Sequence, residues 1–146
     1  MSRTIVHPTD FSRASTAAFT RALDEARRDR SELVVVHVLA PILPIGGDGY
    51  VSPSVYERLD KSARAWGQKQ LARLLGRAKA ARVRARGLLL EGVAHEQIVG
   101  AARRQRARVI VMGTHGRTGA ARFFLGSVAA RVAATAPCPV LTVRGR

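Results

Sequence analysis

The sequence predicts an α/β protein with a doubly wound, five-stranded parallel sheet and helices on both faces. Five short, largely β-branched runs alternate along the chain with four segments whose apolar residues recur at helical spacing. The run at 33–39 is apolar apart from one histidine, which is typical of a parallel strand covered on both sides. Right-handed crossovers restrict such an alternation to doubly wound topologies.

The first two strands and the helix between them are predicted within residues 4–39. A strand covers 4–7 and stops at Pro8. A helix then runs from Ser12, a suitable N-cap, to residue 29, because alanines recur there at every fourth position. The second strand covers 33–39. Residues 41–53 contain three glycines and three prolines, so we predict a loop that acts as a mobile flap beside the functional site.

The longest predicted helix covers residues 54–82. Gly67 and Gly76 weaken its helical propensity locally. Its apolar residues form a single stripe, which is the pattern of a helix packed on a sheet. The stripe consists of Val55, Leu59, Ala63, Trp66, Leu71, Leu74 and Ala78.

The second half of the chain continues the same alternation. The predicted elements are a strand at 83–90, a helix at 95–105, a strand at 109–112, a helix at 127–135 and a strand at 140–143. Residues 113–126 form a connection punctuated by glycine, and Pro137 ends the last helix.

Length and composition predict a single domain over residues 1–146. An apolar fraction of 47% and a charged fraction of 24% are ordinary for a globular protein and exclude a disordered chain. No apolar run approaches the roughly 18 residues of a spanning helix, and the start of the chain does not resemble a signal peptide. Cys138 is the only cysteine, so we expect no internal disulfide and a cytoplasmic location.

The charge balance is strongly basic, with 25 Lys and Arg against 10 Asp and Glu and a net charge of +15. Such a balance permits binding to nucleic acid, an anionic membrane or phosphorylated ligands. Residues 58–86 hold ten of the basic residues and one acid, Asp60. This run is either a solvated helix face or a docking surface. Its one aromatic residue, Trp66, lies on the apolar stripe, and base stacking needs exposed aromatics, so the sequence does not favour nucleic acid as a partner.

The carboxyl ends of the predicted strands are where a ligand should bind in this fold. After the fourth strand, Gly113 and Gly116 are followed, after nine intervening residues, by Gly126 and Ser127, which open a helix. Glycines let a backbone approach an anion, and the first N–H groups of a helix favour negative charge, so this spacing is typical of a phosphate cradle. A glycine-rich loop followed by a serine N-cap explains the same residues equally well.

Two other strand ends carry polar groups. Asp10 follows the first strand, where a carboxylate can accept hydrogen bonds from a ribose or hold a metal on phosphates, or can simply cap the first helix together with Ser12. His37 and Val38 end the second strand, where backbone groups can pair with the edge of a base. Packing in the core is the alternative for Val38.

Several nucleotide and catalytic motifs are missing from the sequence. It contains no GxxxxGK[ST] loop, no GxGxxG after the first strand and no GxSxG elbow. The four histidines do not form a pair at helical metal-binding spacing. A P-loop NTPase, a dinucleotide-binding enzyme and an α/β-hydrolase are therefore not indicated.

These residues resemble the universal stress protein family over nearly the whole chain. The similarity starts at Ile5-Val6-His7-Pro8-Thr9-Asp10 and ends at Pro139-Val140-Leu141-Thr142-Val143. Its most specific part is Gly113-Thr114-His115-Gly116 with Leu125-Gly126-Ser127-Val128, which is the spacing of the ATP-binding branch. The resemblance implies the strand order 3-2-1-4-5, a homodimer joined through residues 139–143, and ATP, usually with Mg²⁺ or Mn²⁺.

The resemblance also implies which residues contact the nucleotide. It places Pro8, Thr9, Asp10, Val38 and Met112 on the adenosine side, and Gly113, His115, Gly116, Arg117, Gly126, Ser127 and Val128 on the phosphate side. The next residue, often a hydroxyl type in the family, is Ala129 here, so one phosphate contact would use a backbone N–H alone.

No evident base or nucleophile accompanies this pattern. Asp10 and His115 are the candidates, and Asp10 suits a ribose or metal role better. We therefore expect a cytoplasmic, nucleotide-sensing stress-response protein. The alternatives are a slow ATP-hydrolysing enzyme on the same fold, an ATP-using transferase, and a nucleotide-free dimeric adaptor.

Overall fold

A computed structural model describes residues 3–41, 52–115 and 125–145 of the chain. Most of the expected flap at 41–53 lies outside these residues, as do Gly116 and Arg117. Five strands and four helices alternate along the described chain. In order they are β1 (Thr4–Pro8), α1 (Arg13–Asp29), β2 (Glu32–Leu39), α2 (Pro53–Ala80), β3 (Ala85–Glu91), α3 (Ala94–Arg104), β4 (Val109–Gly113), α4 (Ser127–Thr135) and β5 (Val140–Val143).

The strands form one parallel sheet in the order β3-β2-β1-β4-β5, which confirms the predicted fold. β1 lies at the centre, between β2 and β4, and the strand order reverses there. Its register places Ile5 opposite both Leu33 of β2 and Val109 of β4. The carboxyl ends of β1, β2 and β4 therefore meet at one edge of the sheet.

Two helices cover each face of the sheet. Successive strand residues point to opposite faces, so Ile5 and Val35 pack under α1 and α2, whereas Val6 and Val34 pack under α3 and α4. Phe19 of α1 is the largest fully buried side chain. Burial on both faces explains why the central strands are apolar at almost every position. Within the described residues, no helix is both long enough and apolar enough to cross a membrane.

Local signals set the helix starts. The Ser12 hydroxyl accepts the Ser15 N–H at 3.3 Å, which confirms Ser12 as the N-cap of α1. The Ser52 hydroxyl caps α2 in the same way through the Val55 N–H at 3.4 Å. Pro53 takes the first helical position, where the missing N–H costs nothing.

The amino-terminal half of α2 differs from the prediction. Only Gly67, Leu71, Leu74 and Ala78 are buried, whereas Val55, Leu59 and Trp66 are 36–48% exposed. A helix of 28 residues spans about 42 Å, but the strands beneath it have seven or eight residues and span about 25 Å. The first half of α2 therefore extends past the sheet that its apolar stripe was expected to cover. β3 also starts later than predicted, because Val83 belongs to the turn after α2.

His7 connects the two central strands through its side chain. It is fully buried, and its Nδ1–H donates to the Val111 carbonyl at 2.8 Å. Nε2 is buried without a hydrogen-bond partner among the described residues. Burial lowers the pKa of His7 from 6.5 to about 4, although the Val111 hydrogen bond and the Asp10 charge act in the opposite direction.

The lowered pKa of His7 predicts that stability falls on acidification. Between about pH 6.5 and 4, His7 is protonated in the unfolded chain but stays neutral in the folded chain. The free energy of unfolding therefore rises with pH over this range. The full loss below pH 4 is about 3 kcal/mol. His7→Gln cannot titrate but can still donate to Val111, so urea unfolding should show a weaker pH dependence for the variant over this range. Identical slopes for wild type and variant would contradict this assignment.

Candidate functional site

A cavity of about 530 Å³ opens at the carboxyl edge of the sheet. It lies over the ends of β1, β2 and β4 and is closed at the sides by the first turns of α3 and α4. This is the position at which strand order reverses and where ligands bind in open parallel sheets. The lining residues are Pro8, Thr9, Asp10, Ser15, Val36, His37, Val38, Ala94, Ile98, Met112, Gly113, Thr114, His115, Leu125, Gly126, Ser127, Val128 and Ala129.

The end of β1 is fixed by the hydroxyl of Thr9. Thr9 Oγ1 lies 2.9 Å from the Ser15 hydroxyl and accepts the N–H of Phe11 at 3.0 Å. Phe11 itself has a φ of +62°, a conformation that residues with a side chain rarely adopt. Such strain persists only where surrounding contacts hold it, and it is common at binding sites. The turn between β1 and α1 is therefore held in one shape.

Asp10 lies in this turn at the rim of the cavity. Its Oδ1 accepts the Ser12 N–H at 2.9 Å, while the Ser12 side chain caps α1. Asp10 therefore helps to order the start of α1, and its carboxylate lies at the edge of the cavity. The hydrogen bond fixes where the carboxylate sits, so a ligand that uses it needs no rearrangement of the loop.

The end of β2 is joined to the end of β1 by His37. Its Nδ1–H donates to the Thr9 carbonyl at 2.9 Å, and its ring packs 4.5 Å from the ring of Phe11. Trp66 of α2 contacts both rings, at centroid distances of 5.4 Å to Phe11 and 6.0 Å to His37. The half-exposed Trp66 therefore lies against the outer wall of the site, and is not buried in the stripe as expected from the sequence.

The end of β4 and the start of α4 meet through one backbone contact. The Gly126 N–H donates to the Thr114 carbonyl at 2.7 Å, and the Thr114 N–H donates to Val143 of β5 at 3.0 Å. A Cβ at position 126 would lie 2.9 Å from the Thr114 oxygen, so only glycine fits without movement. His115 Nδ1 lies 3.0 Å from the Thr114 hydroxyl.

Ser127 is the first residue of α4 and not its N-cap. Gly126 occupies the capping position and supplies no side-chain hydrogen bond. The serine-capping alternative for this loop is therefore wrong. The N–H groups of Ser127, Val128 and Ala129 belong to the first turn of α4, which lines the cavity and carries the positive end of the helix dipole.

Ten of the twelve residues expected to contact a nucleotide lie together around this cavity, and Gly116 and Arg117 lie outside the described residues. The sequence reasoning did not identify the residues that α3 contributes. Ala94 and Ile98 lie one helical turn apart and form an apolar wall. That spacing was visible in the sequence, but only the sheet order shows that this helix borders the site. Ser15, Val36 and Leu125 are the other additions. The cavity is also lined by His37, Thr114 and Ala129, which the sequence placed next to the expected contact residues.

The cavity combines apolar walls with polar groups at its rim. Among the described lining residues, Asp10 is the only carboxylate. No group of three or more His, Cys, Asp or Glu residues that could hold a metal by itself occurs in the described ranges. The site is thus suited to a ligand with a flat apolar part, hydroxyls and an anionic part.

The fold and this cavity define a parallel α/β protein with a cavity at the strand-order reversal. The model of the universal stress protein family matches residues 1–144, and the chain belongs to this family. The chain is 35% identical over 142 residues to universal stress protein MJ0531 of Methanocaldococcus jannaschii, covering 96% of this chain and 81% of that protein. It is 34% identical over 144 residues to a universal stress protein of Thermus aquaticus, covering 99% and 100%.

Solved structures agree with this fold. The structure of protein MJ0577 superposes with a TM-score of 0.85 at 23% identity over 100% of this chain and 98% of that chain. A universal stress protein solved in complex with cAMP superposes with a TM-score of 0.71 at 26% identity, covering 99% and 98%.

The contact between Gly126 and Thr114 predicts opposite effects for two glycine-to-alanine substitutions. Gly126→Ala should lower the free energy of unfolding by about 1–3 kcal/mol, because its Cβ forces the two backbones apart. Gly76→Ala in α2 should raise it by about 0.5–1 kcal/mol, since no atom lies within 4 Å of the added Cβ. Urea unfolding of the two variants measures both effects, and equal effects would contradict the close contact.

Proposed function

We propose that this protein binds ATP in the cavity at the carboxyl edge of the sheet and acts as a nucleotide-sensing stress-response protein. The observation that carries the proposal is the convergence of ten family-type contact residues around one cavity of about 530 Å³. The cAMP complex of a relative at 26% identity supports a nucleotide as the class of ligand.

The adenosine part fits the end formed by β1, β2 and α3. Val38, Met112 and Ile98 supply apolar surface for a base, which gains by leaving water. Asp10 is the acceptor for the ribose hydroxyls, because a carboxylate accepts hydrogen bonds strongly and this one is held by the Ser12 N–H.

The phosphates fit the opposite end, at the start of α4. Gly113 and Gly126 present backbone without side chains, and the first turn of α4 presents N–H groups. Ser127 adds a hydroxyl donor at the same place. These donors and the helix dipole favour an anion. Gly116 and Arg117 belong to this part of the proposal through the family resemblance alone.

A divalent cation would accompany the nucleotide. The described residues offer one carboxylate at the rim, Asp10, and no cluster of three or more metal ligands. Mg²⁺ or Mn²⁺ would therefore be held mainly by phosphate oxygens and water, with Asp10 as the protein group within reach. The cation would neutralise phosphate charge. The described lining residues bind and orient the nucleotide, which favours a sensing role over fast catalysis.

The ATP proposal predicts a charge-specific loss of affinity in Asp10→Asn. The amide oxygen can still accept the Ser12 N–H, so the turn is kept while the charged acceptor is lost. Titration calorimetry with Mg-ATP should show saturable binding by wild type and a dissociation constant raised about tenfold in the variant. Asp24→Asn, an exposed change on α1, should bind like wild type. Absence of saturable heat in the wild type at millimolar Mg-ATP would contradict the proposal.

We also propose that the chain forms a homodimer through residues 139–143. β5 is an edge strand and pairs only with β4 among the described strands. The carbonyl of Pro139 accepts the N–H of Ile110 in β4, and the carbonyl of Val143 accepts the N–H of Thr114, which directly follows β4. Because the backbone groups of a strand alternate in direction, residues 140 and 142 turn their N–H and C=O groups outward. Two β5 strands related by a two-fold axis can pair antiparallel, which leaves neither strand with an unpaired edge.

Thr142→Pro tests this interface without disturbing β4. It removes an outward N–H, and proline is tolerated on an edge strand whose N–H faces solvent. Light scattering at micromolar concentration should give twice 15.7 kDa for wild type and 15.7 kDa for the variant. Thr142→Val keeps the N–H and should stay dimeric. Lysine at position 141 is a poorer test, because Leu141 packs on the core of the monomer. A monomeric wild type would overturn the interface.

A further inference from the structure

Three helices end in the same turn, and each turn carries an arginine in the left-handed conformation. Arg30 after α1, Arg82 after α2 and Arg106 after α3 have φ values of +57°, +60° and +50°. In each case the N–H of the following residue donates at 2.9 Å to the carbonyl five positions earlier, as in a Schellman motif. Each turn leads directly into the next strand, β2, β3 or β4.

Arginine is an unusual residue at these positions. Glycine is the usual residue there, because a Cβ strains a left-handed backbone. The helix dipole does not explain why arginine occupies these left-handed positions, since the last turns of the three helices already hold basic residues. They are Arg27, Arg28, Arg77, Lys79, Arg103 and Arg104.

The topology brings these turns to one edge of the sheet. In a parallel sheet all helix-to-strand turns lie at the amino-terminal edge, which is opposite the cavity. Backbone hydrogen bonds join Arg84 to Leu33 and Arg3 to Glu32 across neighbouring strands. The four strands from β3 to β4 are about 4.8 Å apart, so the row extends about 15 Å. We call Arg3, Arg30, Arg82, Arg84 and Arg106 the arginine edge; all five are exposed.

The nearby carboxylates are engaged by other arginines. Asp29 pairs with Arg108, and Glu32 accepts from Arg86 at 2.9 Å. Glu25 pairs with Arg21 at 3.0 Å. The side chains of the arginine edge form no ion pair with any residue in the described ranges. Within the part of the chain that the structure describes, the edge therefore carries five positive charges in a row that are not ion-paired.

We propose that the arginine edge binds the phosphate backbone of a nucleic-acid duplex without reading its sequence. Arginine matches phosphate oxygens with two parallel hydrogen bonds, and a duplex carries a regular line of phosphates. The arginine edge contains no aromatic residue for base stacking, which favours backbone contact over single-strand recognition. This reverses the expectation from the sequence, which considered only stacking on 58–86. Backbone contact needs no exposed aromatic.

The test replaces all three left-handed arginines by glycine in the full chain. Arg30→Gly, Arg82→Gly and Arg106→Gly relieve the strained backbone, so the melting temperature should equal or exceed that of wild type. Fluorescence anisotropy measures binding to a fluorescein-labelled 20-bp DNA of mixed sequence. The salt concentration is raised from 0.05 to 0.2 M, about fourfold, because phosphate contacts weaken strongly over this range. The triple variant should bind at least about tenfold more weakly, with a log K against log salt slope reduced by about 2 to 3.

Two matched variants separate the arginine edge from overall charge. Arg58→Gln, Lys61→Gln and Lys69→Gln remove the same charge from the exposed surface of α2 and should lose much less affinity. Arg30→Lys, Arg82→Lys and Arg106→Lys keep the charge at the edge but lose the paired hydrogen bonds, so this variant should bind more weakly than wild type and clearly more tightly than the glycine variant. Equal losses in the glycine and α2 variants would overturn the proposal, as would a wild type that binds phosphatidylserine vesicles but not DNA. The measurement uses no ATP, so its outcome is independent of the nucleotide proposal.

Discussion

The reversal of strand order at β1 is the constraint on which the site depends. The connection from β1 to β2 runs through α1 on one face, whereas β3 reaches β4 through α3 on the other face. Because both crossovers are right-handed, connections on opposite faces must leave the centre of the sheet in opposite directions. This divergence leaves a crevice above the ends of β1 and β4. The cavity of about 530 Å³ fills this crevice.

The turns around the crevice are held by buried polar contacts. Thr9 connects to Ser15, and His37 donates to the Thr9 carbonyl, so hydrogen bonds join the ends of β1 and β2. Gly126 closes the other side through Thr114. A site fixed before the ligand arrives loses less entropy on binding, which fits the nucleotide-sensing role that we propose.

The alternation of strands and helices was predictable, because periods of 2 and 3.6 are local properties of the sequence. The resemblance to the universal stress protein family, carried by the glycine spacing and the end of the first strand, named ten of the described lining residues. Periodicity does not show where the sheet ends. The exposure of the first half of α2, and of Trp66 in particular, therefore could not be predicted from the sequence. The sequence leaves Ser127 open as an N-cap, because capping depends on the backbone conformation at Gly126, which residue types do not reveal. The arginine edge needed both the strand order and three positive φ values, and neither can be read from residue types.

The central claim is that the cavity at the strand-order reversal holds a nucleotide. Native mass spectrometry of the intact protein after incubation with millimolar Mg-ATP measures this most directly, because it counts ligands and subunits in the same spectrum. The account predicts a dimer that carries one ATP for each chain. Protein that stays free of nucleotide under these conditions would contradict it.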